Sequence, residues 1–220
     1  MSEKIKYLTK NFLKSNMPSR WRLRSIFRPL VHLIAKCLIK MRVTPNFATI
    51  IMLIFSILGF LSIALIRNLV LFSIIVFITG LMDGCDGAIA RLTNKQSQFG
   101  GFFDSIMDRF SEFFIFLGLL IFNWNDLLWS VLDVKIIINI SFLASLMISY
   151  SRTRAECFFS GDFDIGLMGR SERLFYIVIT MTFAHFYGYV DIFLFVFMVL
   201  VLASLIFRII KIYSQIKNQA

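Results

Sequence analysis

Long apolar runs separated by short polar turns dominate this chain. Asn46–Ile66 is uncharged and stops at Arg67, and Leu69–Met82 is equally uncharged and runs straight into an acidic stretch that begins at Asp83. Gly101–Asn123 is long but carries Asp104, Asp108, Arg109 and Glu112. Lys135–Phe159 stays apolar as far as Tyr150 and then acquires Arg152, Arg154 and Glu156. Leu174–Tyr187 and Val190–Ile210 form a last pair around the short turn His185–Asp191. A helix crosses the hydrocarbon core with about 20 residues at roughly 1.5 Å rise each. The pattern therefore predicts an all-α integral membrane protein with six transmembrane helices.

Ahead of the first span the period changes. Ile5, Leu8, Phe12 and Leu13 recur at helical spacing among Lys4, Lys6, Lys10 and Lys14, and Ile26–Met41 places Leu30, Ile34 and Leu38 at steps of four beside Arg28, Lys36 and Lys40. Both stretches fit amphipathic helices in the membrane interface, apolar side in lipid and basic side towards headgroups, and the first reads equally as a poorly ordered tail. Pro45 disfavours a helical conformation at Thr44, which ends the second of them, and Asn46 is the expected cap of the first span. No repeat or low-complexity linker divides the chain. One domain is expected: an interfacial segment at 1–45, a catalytic bundle at 46–212 and a cytoplasmic tail at 213–220.

Composition agrees with a membrane chain. Hydrophobic residues make up 58% and charged ones 16%, whereas charged side chains approach a quarter of a soluble domain. Eleven of the 23 Lys and Arg residues fall in the first 45 positions, so the positive-inside rule places the N-terminus in the cytoplasm. Arg91 and Lys95, Arg170 and Arg173, and Lys211 and Lys217 follow alternate spans. Residues 83–109 and 150–173, and the C-terminus, are thus expected on the cytoplasmic side of the cell membrane. The net charge of +10 is read as topology-setting charge with affinity for anionic lipid, since no nucleic-acid-binding module is present. Cys37, Cys85 and Cys157 contain no Cys-x-x-Cys pair, which leaves no disulfide framework or thiolate metal site. No cleaved signal peptide is expected.

The candidate chemistry lies in the stretch from Asp83 to Asp108. Asp83 and Asp86 are three residues apart and Asp104 and Asp108 four apart, so each pair shares a helix face. The polar run Thr93–Gln98 lets the two helices turn back so that the pairs converge. Four converging carboxylates repel one another, and desolvation at membrane depth adds to the cost. An oxygen-ligated divalent cation, Mg²⁺ or Mn²⁺ with Ca²⁺ as a further option, removes the conflict, and four carboxylates suffice for two ions. Gly80, Gly84, Gly87 and Ala90 clear bulk from the first helix, Gly100 does so one turn before Asp104, and Arg91 offers a donor fork for phosphate. Two other readings compete: a buried ion-pair network, with Arg91 and Arg109 against the aspartates, and a divalent-cation transporter.

With Asp83, Asp86, Gly87, Ala90, Arg91, Gly100, Asp104 and Asp108 in this order and spacing, the sequence resembles the CDP-alcohol phosphotransferase family. Its signature is D-x-x-D-G-x-x-A-R, eight residues, then G-x-x-x-D-x-x-x-D, and every fixed position is matched here. The resemblance implies a helical membrane domain, commonly homodimeric, with a polar cavity open to the cytoplasm. By the same resemblance Asp83, Asp86, Asp104 and Asp108 would be metal ligands and Asp108 also the general base. Asp83, Gly87, Ala90, Arg91 and Gly100 would form the CDP-binding part. The implied reaction moves a phosphatidyl-type group from CDP-diacylglycerol or a CDP-archaeol-type lipid to an alcohol and releases CMP.

The acceptor is read from the remaining arginines. Arg152 and Arg154 follow the fourth span, and Arg170 and Arg173 open the fifth, where they could bind an acceptor that carries its own phosphate. Together with Asp104-Ser105-Ile106-Met107-Asp108-Arg109 they look like the branch that acts on inositol phosphate. The glycerol-3-phosphate branch often has proline and lysine where Ser105 and Arg109 stand, and glycerol 3-phosphate or another polar alcohol remains the alternative acceptor. Positive-inside anchoring, or pairing with Glu156 and Glu172, competes for the same basic residues. His32 and His185 read as packed or interfacial residues. Trp124 and Trp129 read as an aromatic belt.

Overall fold

A computed structural model describes residues 26–159, 163 and 168–217 of the 220-residue chain. The periodic stretch around Ile5, Leu8, Phe12 and Leu13 lies outside the described residues, as do Gly166, Leu167 and residues 218–220. The described elements are α1 (Arg28–Lys40), α2 (Pro45–Leu61, continued by a π-helical turn at Ser62–Ile66), α3 (Leu69–Leu92), α4 (Gln98–Phe122), α5 (Val134–Phe158), α6 (Arg170–Tyr187) and α7 (Val190–Lys217). A small antiparallel hairpin, β1 (Leu127–Leu128) with β2 (Leu132–Asp133), joins α4 to α5. Among the described residues, four helices are long and apolar enough to cross a membrane: α2 with its continuation, α3, α5 and α7. The helix bearing Leu69–Met82 does not end where the charges begin; it continues through the acidic motif to Leu92.

Helix α2 is the spine of the site. Both α3 and α4 lie along it and make little backbone contact with each other, so a third helix aligns the two arms of the acidic segment and their side chains meet at the aspartates. At Gly118 of α4 an added Cβ would stand 2.7 Å from Ile63 Cγ2, and the absent side chain lets the two helices approach closely. The same end is fastened by Arg67, which terminates α2 with a left-handed φ of 55°. Its Nη2 donates to the Phe122 carbonyl at 3.0 Å and its guanidinium lies 4.9 Å from the Phe122 ring centroid. Elsewhere α6 packs on α3, and α7 on α5, around Phe72, Val76, Phe116, Ile137, Ile177 and Phe197. Ile54, Leu58, Leu143 and Val199 point outward, an arrangement suited to lipid contact and unfavourable in water.

Two local expectations are corrected. Thr44, not Asn46, caps α2: its backbone is extended and its hydroxyl accepts the Phe47 N–H at 3.3 Å. Pro45 occupies the first helical turn, where its missing N–H costs nothing, which moves Asn46 into the helix. The apolar side of α1 does not simply face lipid. Val31, Ala35, Ile34 and Leu38 pack into a cluster with Met52, Met82 and Cys85, because Gly84 admits Val31 so closely that an added Cβ would meet its methyls at 3.1 and 3.2 Å. Leu30 and Leu33 stay exposed.

Candidate active site

The acidic residues come from two helices that lean on α2. One helical turn separates Asp83 from Asp86 on α3, and another separates Asp104 from Asp108 on α4. Asp83, Asp104 and Asp108 each place a carboxylate oxygen within 4.8 Å of the others. The fourth, Asp86, is buried, and its Oδ2 accepts the Thr49 hydroxyl of α2 at 2.8 Å, while its Oδ1 accepts the Gly87 N–H. Arg170, the first residue of α6, donates through Nη1 to both Asp83 and Asp108.

Two cavities meet at these carboxylates. The first, about 210 Å³, is lined by Asn46, Thr49, Asp86, Gly87, Ala90, Arg91, Gly100 and Asp104, among others. Its walls explain its glycines. A Cβ at Gly87 would lie 3.3 Å from Arg91 Nη1, and one at Gly100 would lie 3.0 Å from Ser97 Oγ and 3.4 Å from Asn46 Oδ1. The second cavity, about 350 Å³, is lined by the carboxylates Asp83, Asp104, Asp108, Glu156 and Glu172 and by Arg109, Arg152, Arg170, Arg173 and Arg208. Asp104 lines both.

Of the residues singled out from the sequence, Gly87, Ala90, Arg91 and Gly100 share the first cavity, whereas Asp83 faces the second. Arg152 lines the second cavity with its Nε on Glu156 at 2.8 Å. Arg154 does not line it; that side chain is exposed, 4.2 Å from the Phe158 ring centroid. Arg173 is 1% exposed and held by Glu112. The ion-pair alternative assigned Arg91 and Arg109 to the aspartates, but Arg91 borders the first cavity and Arg109 donates to the Ser105 carbonyl one turn back. Arg170 makes those contacts instead.

Two residues escaped the sequence reading. Thr49 lies in an uncharged, largely apolar run, where a threonine gives no signal. Arg208 lies 35 positions beyond Arg173, near the end of an apolar helix, where a basic residue reads as an anchor. It is 2% exposed and donates to the Ile148 carbonyl at 3.4 Å while bordering the second cavity. Its burial is the one signal that sets it apart, and burial is invisible in a single sequence.

The donor set fits a hard divalent cation. Three carboxylates converge from two helices, and the nearby thiol is turned away, since Cys85 Sγ donates to the Leu81 carbonyl at 3.2 Å. All-oxygen sets of this kind suit Mg²⁺ and Mn²⁺. That a guanidinium settles between Asp83 and Asp108 is a second sign that the site is built to receive positive charge.

Comparison with known proteins accounts for the arrangement. Residues 42–210 match the family model described as CDP-alcohol phosphatidyltransferase. The chain belongs to the CDP-alcohol phosphatidyltransferase family. It is a membrane transferase of phospholipid biosynthesis. It is similar to the archaetidylinositol phosphate synthase of Pyrococcus horikoshii, with 38% identity over 150 residues, covering 68% of this chain and 75% of that one. The phosphatidylinositol phosphate synthase of Mycobacteroides abscessus is 28% identical over 166 residues, covering 75% of this chain and 74% of that one. Among solved structures, the Mycobacterium tuberculosis phosphatidylinositol phosphate synthase with CDP-DAG bound superposes with a TM-score of 0.72 at 25% identity, covering 84% of this chain and 94% of that one. The same enzyme in complex with manganese and citrate gives a TM-score of 0.73 at 25% identity, covering 83% and 88%. This CDP-alcohol phosphatidyltransferase therefore shares its helical framework with a metal-binding relative.

Proposed function

We propose that this chain transfers the phosphatidyl-type group of a CDP-linked lipid, CDP-diacylglycerol or its archaeal ether counterpart, to a hydroxyl of inositol phosphate, releasing CMP. The observation that carries this reading is the pair of cavities joined at Asp104, one lined by glycines and Arg91, the other by five arginines. A diphosphate needs close backbone approach, and an acceptor with its own phosphate needs guanidinium forks. Relatives named for inositol phosphate lipids support the same choice.

In this reading Gly87, Ala90, Arg91 and Gly100 cradle the CDP moiety, with Asn46 and Thr49 completing the wall. Asp83, Asp86, Asp104 and Asp108 would hold the divalent ions, two per site, Mg²⁺ or Mn²⁺. When bound, such ions offset the charge of the diphosphate and polarise the bond that breaks. Thr49 keeps the Asp86 carboxylate turned towards the site. Asp108 takes the proton of the acceptor hydroxyl, whose oxygen attacks the lipid-side phosphorus, and CMP departs without a covalent enzyme intermediate. Arg152, Arg170 and Arg208 supply the positive end of the acceptor cavity, while Arg173, engaged by Glu112 and the Met168 carbonyl, stands behind them.

All six long helices, α2 to α7, span the membrane in this picture, α1 lies at the cytoplasmic interface, and the protein works as a homodimer in the cell membrane with the site open to the cytoplasm. The lipid donor then stays in the bilayer while its head enters the first cavity. The test supplies purified protein with CDP-lipid, Mn²⁺ and, in separate reactions, inositol phosphate, glycerol 3-phosphate, serine or free inositol, and identifies the lipid product by mass. A glycerol-3-phosphate product without an inositol-phosphate product overturns the acceptor assignment. Cation flux into vesicles without CMP release overturns the enzyme reading.

A further inference from the structure

Below the carboxylates lies an ion pair that the transfer chemistry does not use. Glu112 stands one turn beyond Asp108 on α4, and Arg173 one turn beyond Arg170 on α6. Arg173 Nε donates to Glu112 Oε1 at 2.8 Å and Nη2 donates to Oε2 at 3.0 Å. The two residues are 1% and 2% exposed. The third arm of the guanidinium, Nη1, donates to the Met168 carbonyl at 3.0 Å, and the Met168 N–H donates to Ser204 Oγ of α7 at 3.2 Å. Helices α4 and α6 have little backbone contact. Two arginine–carboxylate rungs bridge the space instead: Arg170 with Asp108 at the cavity and Arg173 with Glu112 beneath it.

Burying two opposite charges is a poor route to stability, because desolvation cancels much of their attraction and apolar replacements of similar size serve equally well. What such a pair supplies is geometry, since the fork fixes both the rotation and the height of one helix on the other. Gly169 provides no side-chain cap for α6, so the helix start is held through Arg173 and the Met168 carbonyl. We propose that Glu112 and Arg173 are positioning residues for the transfer: their fork locks the first turn of α6 onto α4 and thereby aims the Arg170 guanidinium at Asp83, Asp108 and the acceptor cavity. This rests on the acceptor-cavity reading above. Arg173 lines the second cavity and neither residue lines the first, so loss of the fork acts on the acceptor and on turnover rather than on the donor.

The test uses the full-length protein in lipid nanodiscs and four variants: Glu112→Gln, Arg173→Lys, Arg173→Met and the apolar double substitution Glu112→Leu with Arg173→Met. Thermal unfolding, KM for CDP-lipid, KM for the acceptor and kcat are measured for each, using whichever acceptor the parent turns over. The double variant is expected to unfold within a few degrees of the parent. Its acceptor KM should rise about tenfold or more and its kcat fall by on the order of tenfold to a hundredfold, the scale of a small misplacement of a catalytic group. Its donor KM should stay within about twofold. Arg173→Lys, which keeps the charge and loses the fork, is expected to recover stability over Arg173→Met without recovering acceptor KM. A double variant with parental kinetics makes the pair purely structural and overturns the proposal. If the double variant does not fold, Glu112→Gln decides by the same split, and a parallel rise of both KM values counts against positioning. A parent that turns over an acceptor other than inositol phosphate defeats the acceptor assignment and leaves the fork under test.

Discussion

The Thr49 hydroxyl on α2 donates to Asp86 Oδ2 on α3 across 2.8 Å, both groups being almost fully buried. A carboxylate oriented in this way presents its remaining lone pairs to the site. Groups behind metal ligands commonly contribute about 10- to 100-fold in affinity or activity. Thr49→Val, which removes the donor at nearly constant shape, is expected to weaken Mn²⁺ binding by roughly tenfold, read by calorimetric titration of Mn²⁺ alone. Thr49→Ser should retain most of it, and equal affinity in parent and Thr49→Val would remove the orienting role.

Asp108→Asn removes the base and weakens one metal ligand, so it is assayed at saturating Mn²⁺. The amide keeps the shape but cannot accept the acceptor proton, so CMP release should fall by on the order of 10²–10⁴-fold. Binding of CDP-lipid in the absence of acceptor should change far less. Undiminished CMP release would move the base elsewhere.

Gly87→Ala probes the first cavity. The added methyl would press on Arg91 Nη1 at 3.3 Å, and the guanidinium has to shift away from the diphosphate. The expected result is a donor KM raised several-fold, with acceptor KM unchanged. A rise in acceptor KM alone would exchange the roles of the two cavities.

Arg208→Met removes a buried cation from the wall of the second cavity at similar length. A hydrogen bond to a charged group contributes about 1.5–3 kcal/mol, so acceptor KM should rise by roughly tenfold or more while donor KM holds. Steady-state rates with each substrate varied in turn will distinguish this from a general loss of function.

Chelation with excess EDTA should abolish CMP release, and added Mg²⁺ or Mn²⁺ should restore it, with helix content by circular dichroism unchanged throughout. Activity that persists in chelator would remove the divalent ion from the reaction.

The sequence carried the acidic chemistry because that chemistry is local. Two carboxylates a turn apart, twice over, with glycines between them, form a pattern of spacing, and helical spacing survives folding unchanged. The six long helices were legible for a similar reason, from the length of their apolar runs. What could not be read was which helix stands beside which. The turn Thr93–Gln98 let the carboxylates of α3 and α4 converge as expected, but that both helices pack on α2, which brings Thr49 and Asn46 to the site, was not legible. Arg173 and Glu112 show the same limit. Arg173 read as an acceptor-phosphate candidate and Glu112 as one charge of the third span, and their mutual burial depends on an approach between two residues 61 positions apart in sequence. Arg154 and Arg152 are two positions apart and point to different surroundings, a consequence of the 100° step between successive helical residues.

Asp104 belongs to both chambers, and this has a kinetic consequence. Neither chamber must empty before the other fills, so donor and acceptor can reside together with one carboxylate between them. Initial-rate lines for varied donor at several fixed acceptor concentrations should then intersect, as they do for a ternary complex. Parallel lines would require the chain to carry the lipid phosphate covalently between two half-reactions, and the shared wall makes that detour unnecessary.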